Sequence, residues 1–328
     1  MKKIGVNGFG RIGRYFTRMM LLRDDMQVAV VNDLADINTL AHLFKYDSIH
    51  GKEAFPFRIE GNKMVFENGK IILFTQEREP ANIPWGVNDV SIVVECTGIF
   101  RSEEMASLHL KGGAKKVVIS APAKGDVKTI VLGVNDNELS DEDIILSNAS
   151  CTTNNAAPMV KVLKEFLEIE SAYITTIHSY TSDQRLHDSP HSDLRRARAA
   201  NLSIIPTSTG AAKAITKIFP ELDGKIGGCG IRVPVPNGSM TDLTLIVKNA
   251  PSIGQINEAM QAAAGGSLKG ILGYTEDPIV SVDIIGNPHS CVFDSQLTSV
   301  IGNMVKVVGW YDNEAGYSNR LVELVARV

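Results

Sequence analysis

A glycine pattern near the start of the chain, Gly8-Phe9-Gly10-Arg11-Ile12-Gly13, constrains the fold more than any other feature of the sequence. Alone such a pattern is weak, but residues 2–6 before it read as a strand, and Phe16, Met19 and Met20 after it recur at helical spacing. In that setting Gly8 makes the tight turn, Gly10 lets the backbone approach a pyrophosphate, and Gly13 lets helix and strand pack closely. A second strand over 27–32 leads to Asp33, 20 residues beyond Gly13. A carboxylate at that distance accepts hydrogen bonds from an adenosine ribose and repels the extra phosphate of NADP. The chain is therefore expected to open with a Rossmann-type α/β domain that takes NAD.

The following residues extend that grammar. A helix is expected over 38–45, then short antiparallel strands over 55–59, 63–66 and 71–75, with Glu67-Asn68-Gly69-Lys70 as a type I′ hairpin signal. Arg78 is a candidate neighbour of the adenine ring. A nearly continuous apolar strand over 90–96 ends in Thr97-Gly98, a helix runs from Ser102 to Gly112-Gly113, and strands return at 116–120 and 129–132. Unbroken apolar strands belong to a parallel sheet covered on both faces. Ligands bind at the carboxyl ends of such strands, so Thr97, Gly98 and Ser120 are candidates to line the cofactor.

The chemistry is expected at Ser147-Asn148-Ala149-Ser150-Cys151-Thr152-Thr153-Asn154. A short apolar strand precedes this stretch and a helical pattern through Met159, Val162, Leu163 and Phe166 follows it, with Pro158 permitting at most a kinked continuation. Cys151 should sit near a helix N-terminus, where unpaired N–H groups favour the thiolate. A strand over 172–178 ends at His178, the expected partner for a thiol nucleophile because imidazole exchanges protons near neutral pH. The irregular stretch 179–203 carries Thr181, Asp183 and Asp193-Leu194-Arg195-Arg196-Ala197-Arg198, and long ordered loops are usually functional. Arginines beside an Asp suit a small phosphate. Thr209-Gly210 at the start of another helix forms an anion site, and Arg232 adds a further cation.

The remainder reads as α+β, with strands over 241–247, 279–285 and 304–311, a helix over 253–264, and a mostly antiparallel second sheet. Residues 1–150 are taken as the NAD-binding domain and 151–313 as the catalytic domain. An amphipathic helix over 314–328, capped by Asn313, is expected to return to the first. Lys+Arg 33 against Asp+Glu 37 gives a net charge of −4, which calls for neither nucleic acid nor an acidic membrane as partner. Four widely spaced cysteines form neither a zinc site nor a disulfide framework. No apolar stretch is long enough to cross a membrane, and the expected location is the cytoplasm.

Taken together, five stretches resemble the phosphorylating glyceraldehyde-3-phosphate dehydrogenase family across essentially the whole chain: Asn7-Gly8-Phe9-Gly10-Arg11-Ile12-Gly13-Arg14, 147–154, 193–200, Pro206-Thr207-Ser208-Thr209-Gly210-Ala211-Ala212-Lys213, and Trp310-Tyr311-Asp312-Asn313-Glu314. The resemblance implies a homotetramer that oxidises glyceraldehyde 3-phosphate with NAD and inorganic phosphate to 1,3-bisphosphoglycerate. Cys151 would be the nucleophile and His178 its activator, working through a thiohemiacetal and a thioester. By the same likeness Arg11, Ile12, Asp33, Arg78, Ser120 and Asn313 would touch NAD, while Ser150, Thr152, Thr181, Arg196, Thr209, Gly210 and Arg232 would hold the two phosphates. Asn155 stands where many members carry a second cysteine, and Val235, Gly238 and Ala315 also depart from the usual pattern. Leu34 and Pro190 match the members that prefer NAD. The alternatives are erythrose-4-phosphate dehydrogenase, which tends to lack the Thr-Gly pair present here at 209–210, and a non-catalytic NAD-responsive binding protein.

Overall fold

The computed structural model describes residues 1–328, which separate into two compact units. The first comprises Met1–Ile130, Glu138–Ala149 and Ser318–Val328, and the second Val131–Asn137 and Ser150–Tyr317. Compared with boundaries at 150 and 313, residues 131–137 and 314–317 group with the second unit.

A nine-stranded sheet organises the first unit, in the order Lys128–Thr129, Ile145–Ser147, Lys116–Ile119, Ile92–Glu95, Lys2–Asn7, Met26–Asn32, Ile71–Thr75, Lys63–Phe66, Phe57–Glu60. All pairs are parallel except the two made by Lys63–Phe66. Ile4, Val6, Val30, Val31, Val93, Val94, Val117 and Val118 are all buried, so the central strands present apolar side chains to both faces. Each such side chain contributes about 1.5–3 kcal/mol. The strand Lys2–Asn7 lies between Met26–Asn32 and the later Ile92–Glu95, so strand order reverses at its carboxyl end. In open α/β sheets that reversal opens the ligand crevice.

The helix Arg11–Leu21 follows Gly10 directly and buries Phe16, Thr17, Met20 and Leu21. A Cβ at Gly13 would lie 2.2 Å from the Gly8 carbonyl oxygen, so only glycine permits this helix-to-strand approach. At the other end Lys70 Nζ donates to the carbonyls of Met20 and Leu21, at 3.2 and 3.0 Å, and to that of Arg23. It thereby satisfies acceptors that a helix terminus leaves over.

Two local expectations are corrected in this unit. The 67–70 turn is not type I′, because only Gly69 (φ +84°) has positive φ and Asn68 does not. Gly69 N–H bonds to Phe66 O at 3.0 Å and Phe66 N–H to Lys70 O at 2.9 Å, the three-residue loop in which one glycine takes the left-handed position. The helix expected from 102 to 112 is broken into Glu103–Ala106 and Leu108–Lys111. At the break, the Ser107 hydroxyl donates to the Glu104 carbonyl at 2.7 Å.

The second unit carries an eight-stranded mixed sheet, ordered Ile205–Thr207, Ile226–Val233, Ile169–Ser179, Ser239–Val247, Met304–Tyr311, Cys291–Asp294, Leu272–Thr275, with Ser299–Ile301 also on Met304–Tyr311. Most pairs are antiparallel, but Ile169–Ser179 runs parallel to Ile226–Val233. Along Ser239–Val247 the burial alternates: Leu243, Leu245 and Val247 point inward while Met240, Asp242 and Thr244 are only half-buried. The helix Cys151–Lys164 packs on this sheet. Gly309 makes room for it, since a Cβ there would lie 2.9 Å from Met159 Sδ.

Residues 279–285 do not form the expected strand; Ser281–Ile284 is a 3₁₀ turn. The Asp283 carboxylate accepts from the Val280 N–H at 2.8 Å and curls the segment locally. The closing helix Ala315–Arg327 is capped by Asp312 rather than Asn313: Asp312 Oδ1 accepts from the N–H groups of Glu314 and Ala315, both at 2.8 Å.

Candidate active site

Cys151 is the first residue of the helix Cys151–Lys164, which runs on through Pro158. Ser150, in extended conformation, turns its hydroxyl to accept from the Thr153 N–H at 3.0 Å and so starts the helix. That hydroxyl is also 2.8 Å from Thr153 Oγ1, which commits it to the cap. Just upstream, Ala149 holds φ at +56°. This left-handed conformation costs an alanine about 1–2 kcal/mol.

Burial pushes the Cys151 thiol above its ordinary value. It outweighs the opposing pull of the Arg232 guanidinium, the N–H groups of Thr152 and Cys151, and the Thr152 hydroxyl. The helix start and Arg232 thus act toward the thiolate, as expected, and burial acts against them.

His178 faces the thiol with Nε2 at 3.5 Å from Sγ. Its Nδ1 lies 2.7 Å from the Ser179 carbonyl oxygen. The carbonyl can only accept and favours a proton on Nδ1, whereas the Arg232 guanidinium on the same nitrogen can only donate and favours a bare Nδ1. Strand register sets Arg232 directly beside His178, with Nη1 2.5 Å from Nδ1 and 3.1 Å from the same carbonyl oxygen. Burial and then the Arg232 charge bring the imidazole down to about 3, so His178 is neutral at pH 7.

Beneath the pair lies a residue to which sequence reasoning gave no role. The Tyr311 hydroxyl is 2.9 Å from both Thr152 Oγ1 and Thr176 Oγ1, and its ring meets the His178 ring edge-on at 6.0 Å. Asn313 lies close by, its Oδ1 accepting from Ser179 Oγ at 2.9 Å and Ser239 Oγ at 3.2 Å.

The polar residues of the 179–203 loop gather around Arg196. Its Nη1 is 2.5 Å from Asp183 Oδ2, its Nε donates to Thr207 Oγ1 at 2.9 Å, and Asp183 accepts from the Thr181 hydroxyl. Thr207 Oγ1 also donates to Asp193 Oδ2 at 3.0 Å. Thr207 and Asp193 were not singled out from the sequence, although both fall in the two motif stretches. Burial lowers the Arg232 guanidinium, Asp183 opposes this and Arg196 adds to it, so the three charges feel one another. The strand Ile205–Thr207 pairs with Ile226–Val233, putting Ile205 opposite Arg232. Thr209 and Gly210 follow, with Thr209 Oγ1 accepting from the Ala211 N–H at 3.2 Å at the start of the helix Ala211–Ile218.

In the first unit, the residues expected at NAD can be tested for fit. No side chain caps the helix at Gly10, and a Cβ there would meet nothing within 4 Å, so open space fronts a helix N-terminus suited to a diphosphate. Gly8 takes φ +92° and Gly98 φ +71°. Asp33 Oδ2 accepts from the Phe9 N–H at 2.7 Å and Oδ1 from the Ala35 N–H at 3.0 Å. Half-buried Ile12 lies in the first helical turn. The Arg11 guanidinium is held bidentately by Asp47 at 2.6 and 3.0 Å. Burial would raise the Asp47 carboxyl, but the His50 N–H, Arg11 and the Ile49 N–H hold it at about 2. Thr97 directs its N–H to Glu95 Oε1 at 2.7 Å. Ser120 hydrogen-bonds the Cys96 thiol, which burial pushes up to about 12. Arg78 is exposed.

The sheet, its glycine turn and its acidic strand end define a dinucleotide-dependent oxidoreductase. Comparison with known proteins narrows this. Residues 2–103 match the model of the glyceraldehyde 3-phosphate dehydrogenase NAD-binding domain, and residues 150–313 that of the C-terminal domain. The chain is 54% identical to the glyceraldehyde-3-phosphate dehydrogenase of Mycobacterium avium over 332 residues, covering 99% of this chain and 98% of that protein. It is 53% identical to the Geobacillus stearothermophilus enzyme over 328 residues, with the same coverage. The chain belongs to the glyceraldehyde-3-phosphate dehydrogenase family, and its cofactor is NAD. No helix is long and apolar enough to cross a membrane.

Proposed function

We propose that this chain oxidises glyceraldehyde 3-phosphate with NAD and captures the acyl group with inorganic phosphate as 1,3-bisphosphoglycerate, Cys151 acting as nucleophile and His178 as its base. The Cys151 Sγ to His178 Nε2 distance of 3.5 Å carries the reading. The thiol adds to the aldehyde carbon while Nε2 takes its proton and returns it to the developing alkoxide, which the Cys151 N–H also stabilises. NAD, when bound, supplies the acceptor for the hydrogen that leaves this carbon with its electron pair. Nε2 takes back the hydroxyl proton as the carbonyl of a thioester forms, and then yields it to solvent. A phosphate oxygen adds to the thioester carbon, the C–S bond breaks, and the acyl phosphate leaves Cys151 free.

In this reading Arg196 and Arg232, with Ser150, Thr152, Thr181, Thr209 and Gly210, hold the substrate phosphate and the incoming phosphate, and Asp183 orients Arg196. Fixing both anions makes the second attack effectively unimolecular. On the cofactor side, the reading gives the pyrophosphate to Gly8, Gly10 and Gly13 with Arg11 and Ile12, and the ribose to Asp33. Arg78, Thr97, Gly98, Ser120 and Asn313 line the rest. The test is NADH formation from glyceraldehyde 3-phosphate with and without inorganic phosphate, with erythrose 4-phosphate and NADP alongside. Phosphate-independent turnover, or erythrose 4-phosphate as the better substrate, would overturn it.

A homotetramer is part of the same reading. It is supported by the exposure of four large aliphatic side chains, Leu186 (68%), Leu194 (82%), Leu202 (80%) and Ile204 (69%), within one stretch of chain. Light scattering should give four times the chain mass of 35.5 kDa. Four free cysteines support a reducing, cytoplasmic setting.

A further inference from the structure

The last residues of four adjacent strands in the first unit are Glu95, Asn7, Asn32 and Thr75, ending Ile92–Glu95, Lys2–Asn7, Met26–Asn32 and Ile71–Thr75. They stand opposite one another in register. Their side chains form a continuous relay: Asn7 Nδ2 donates to Glu95 Oε2 at 2.6 Å, Asn32 Nδ2 to Asn7 Oδ1 at 2.8 Å, and Thr75 Oγ1 to Asn32 Oδ1 at 2.8 Å. Glu95 is fully buried, and Asn7 and Asn32 are each 3% exposed. We propose that Glu95 is a positioning residue for NAD, its carboxylate anchoring the Asn7 end of this relay and the Thr97 loop and thereby the geometry of the strand ends on which the cofactor rests.

A buried primary amide can face either way round until a neighbour that acts in only one sense decides. For Asn7 that neighbour is Glu95. Its Oε1 accepts the Thr97 N–H at 2.7 Å and the Thr97 hydroxyl, while Oε2 accepts Asn7 Nδ2 and lies 3.1 Å from His109 Nε2. The Trp85 indole N–H can only donate, and it meets His109 Nδ1 at 3.2 Å. His109 therefore carries its proton on Nε2 and aims it at Glu95. With four donors converging on it, the carboxylate obliges Asn7 to present its amide nitrogen, while from the far side the Glu77 N–H and carbonyl, each 2.8 Å from Asn32 Oδ1 and Nδ2 respectively, turn Asn32 in the matching sense. A fully satisfied buried network of this kind specifies one arrangement.

The relay is bonded to the cofactor-facing backbone. Gly8 N–H donates to Asn32 O at 2.8 Å and Asp33 N–H to Thr75 O at 3.1 Å. A Cβ at Gly8 would lie 2.8 Å from Thr97 N, so the glycine turn and the Thr97 loop are in close register. Glutamine at 95 would present an NH₂ group to donors whichever way it turned. Two hydrogen bonds would be lost, and Asn7 and the Thr97 loop would no longer be held from this side.

The proposal rests on the first unit holding NAD, which wild-type NAD binding tests separately. In Glu95→Gln, NAD binding followed by calorimetry should weaken on the order of tenfold, with a matching rise in KM for NAD. KM for phosphate, and the rate at which iodoacetamide alkylates Cys151 without NAD, should stay within about twofold of wild type. A folded Glu95→Gln protein with wild-type NAD affinity, or one in which alkylation falls in step with NAD binding, would overturn the proposal. Should Glu95→Gln not fold, the pair His109→Gln and His109→Leu decides: the first keeps a donor toward Glu95 and should bind NAD severalfold more tightly than the second. Equal affinities would overturn it.

Discussion

Arg232 stands beside His178 across two parallel strands, its Nη1 2.5 Å from the imidazole Nδ1, and burial together with this neighbour keeps the histidine neutral. The unfolded chain takes up a proton at an ordinary histidine near pH 6.5, whereas the folded protein resists until about 3. The folded value is depressed, so this contribution is fully present above pH 6.5 and is lost as pH falls toward 3. At pH 5 the loss should be about 2 kcal/mol. Urea denaturation at pH 7.5 and pH 5 should show a larger drop for wild type than for His178→Gln; equal drops would contradict the buried neutral imidazole.

The same cation acts on the sulfur with the opposite sense. Arg232 favours the Cys151 thiolate, so Arg232→Gln should raise the thiol further and slow its alkylation at pH 7 by on the order of tenfold. The pH dependence of iodoacetamide reaction in the protein without NAD measures this directly. A profile unmoved by the substitution would remove Arg232 from the chemistry.

Cys151→Ser keeps the helix start, because the cap belongs to Ser150. Turnover should fall by at least about a thousandfold, since a serine hydroxyl lacks the thiol's nucleophilicity. NAD binding should remain within twofold. Residual activity above about a tenth of wild type would exclude Cys151 as nucleophile.

Asp33 accepts from the Phe9 N–H with one oxygen and the Ala35 N–H with the other. In Asp33→Asn the negative charge that repels a second ribose phosphate disappears, and the preference for NAD over NADP should drop by on the order of tenfold. The ratio of kcat/KM for the two cofactors is the readout.

Lys70 caps the end of the helix Arg11–Leu21 through three carbonyl oxygens. Burial lowers its pKa, which shows the ammonium paying part of its hydration for these contacts. Lys70→Met should destabilise the first unit by about 1–2 kcal/mol while leaving Cys151 alkylation unchanged. Amide exchange at residues 18–23 should rise; protection equal to wild type would show the cap to be idle.

The parts legible in the sequence were those encoded locally. Gly8 to Gly13, Asp33 and the strand-to-helix turn at Cys151 announce themselves by spacing and periodicity over fewer than thirty residues. The parts that escaped depend on register between distant segments. Nothing near Arg232 in sequence says that it lies opposite His178, because that follows from a parallel pairing of strands 54 residues apart. Tyr311 closes on Thr152 and Thr176 for the same reason. Small side chains competing for backbone groups account for the local misreadings: Ser107 breaks a helix, Asp283 curls a segment expected to be a strand, and Asp312 takes the cap expected of Asn313.

Asp183, exposed and bound to Arg196 through a 2.5 Å contact, has a consequence for which anions succeed at that arginine. Asp183 and Thr207 occupy Nη1 and Nε, and a guanidinium carries five N–H donors, so an anion held there as proposed would meet Nη2 with the resident carboxylate still in place. The tethered carboxylate would aim the fork and at the same time dilute its charge, so the arginine would reward a well-shaped ligand more than a merely charged one.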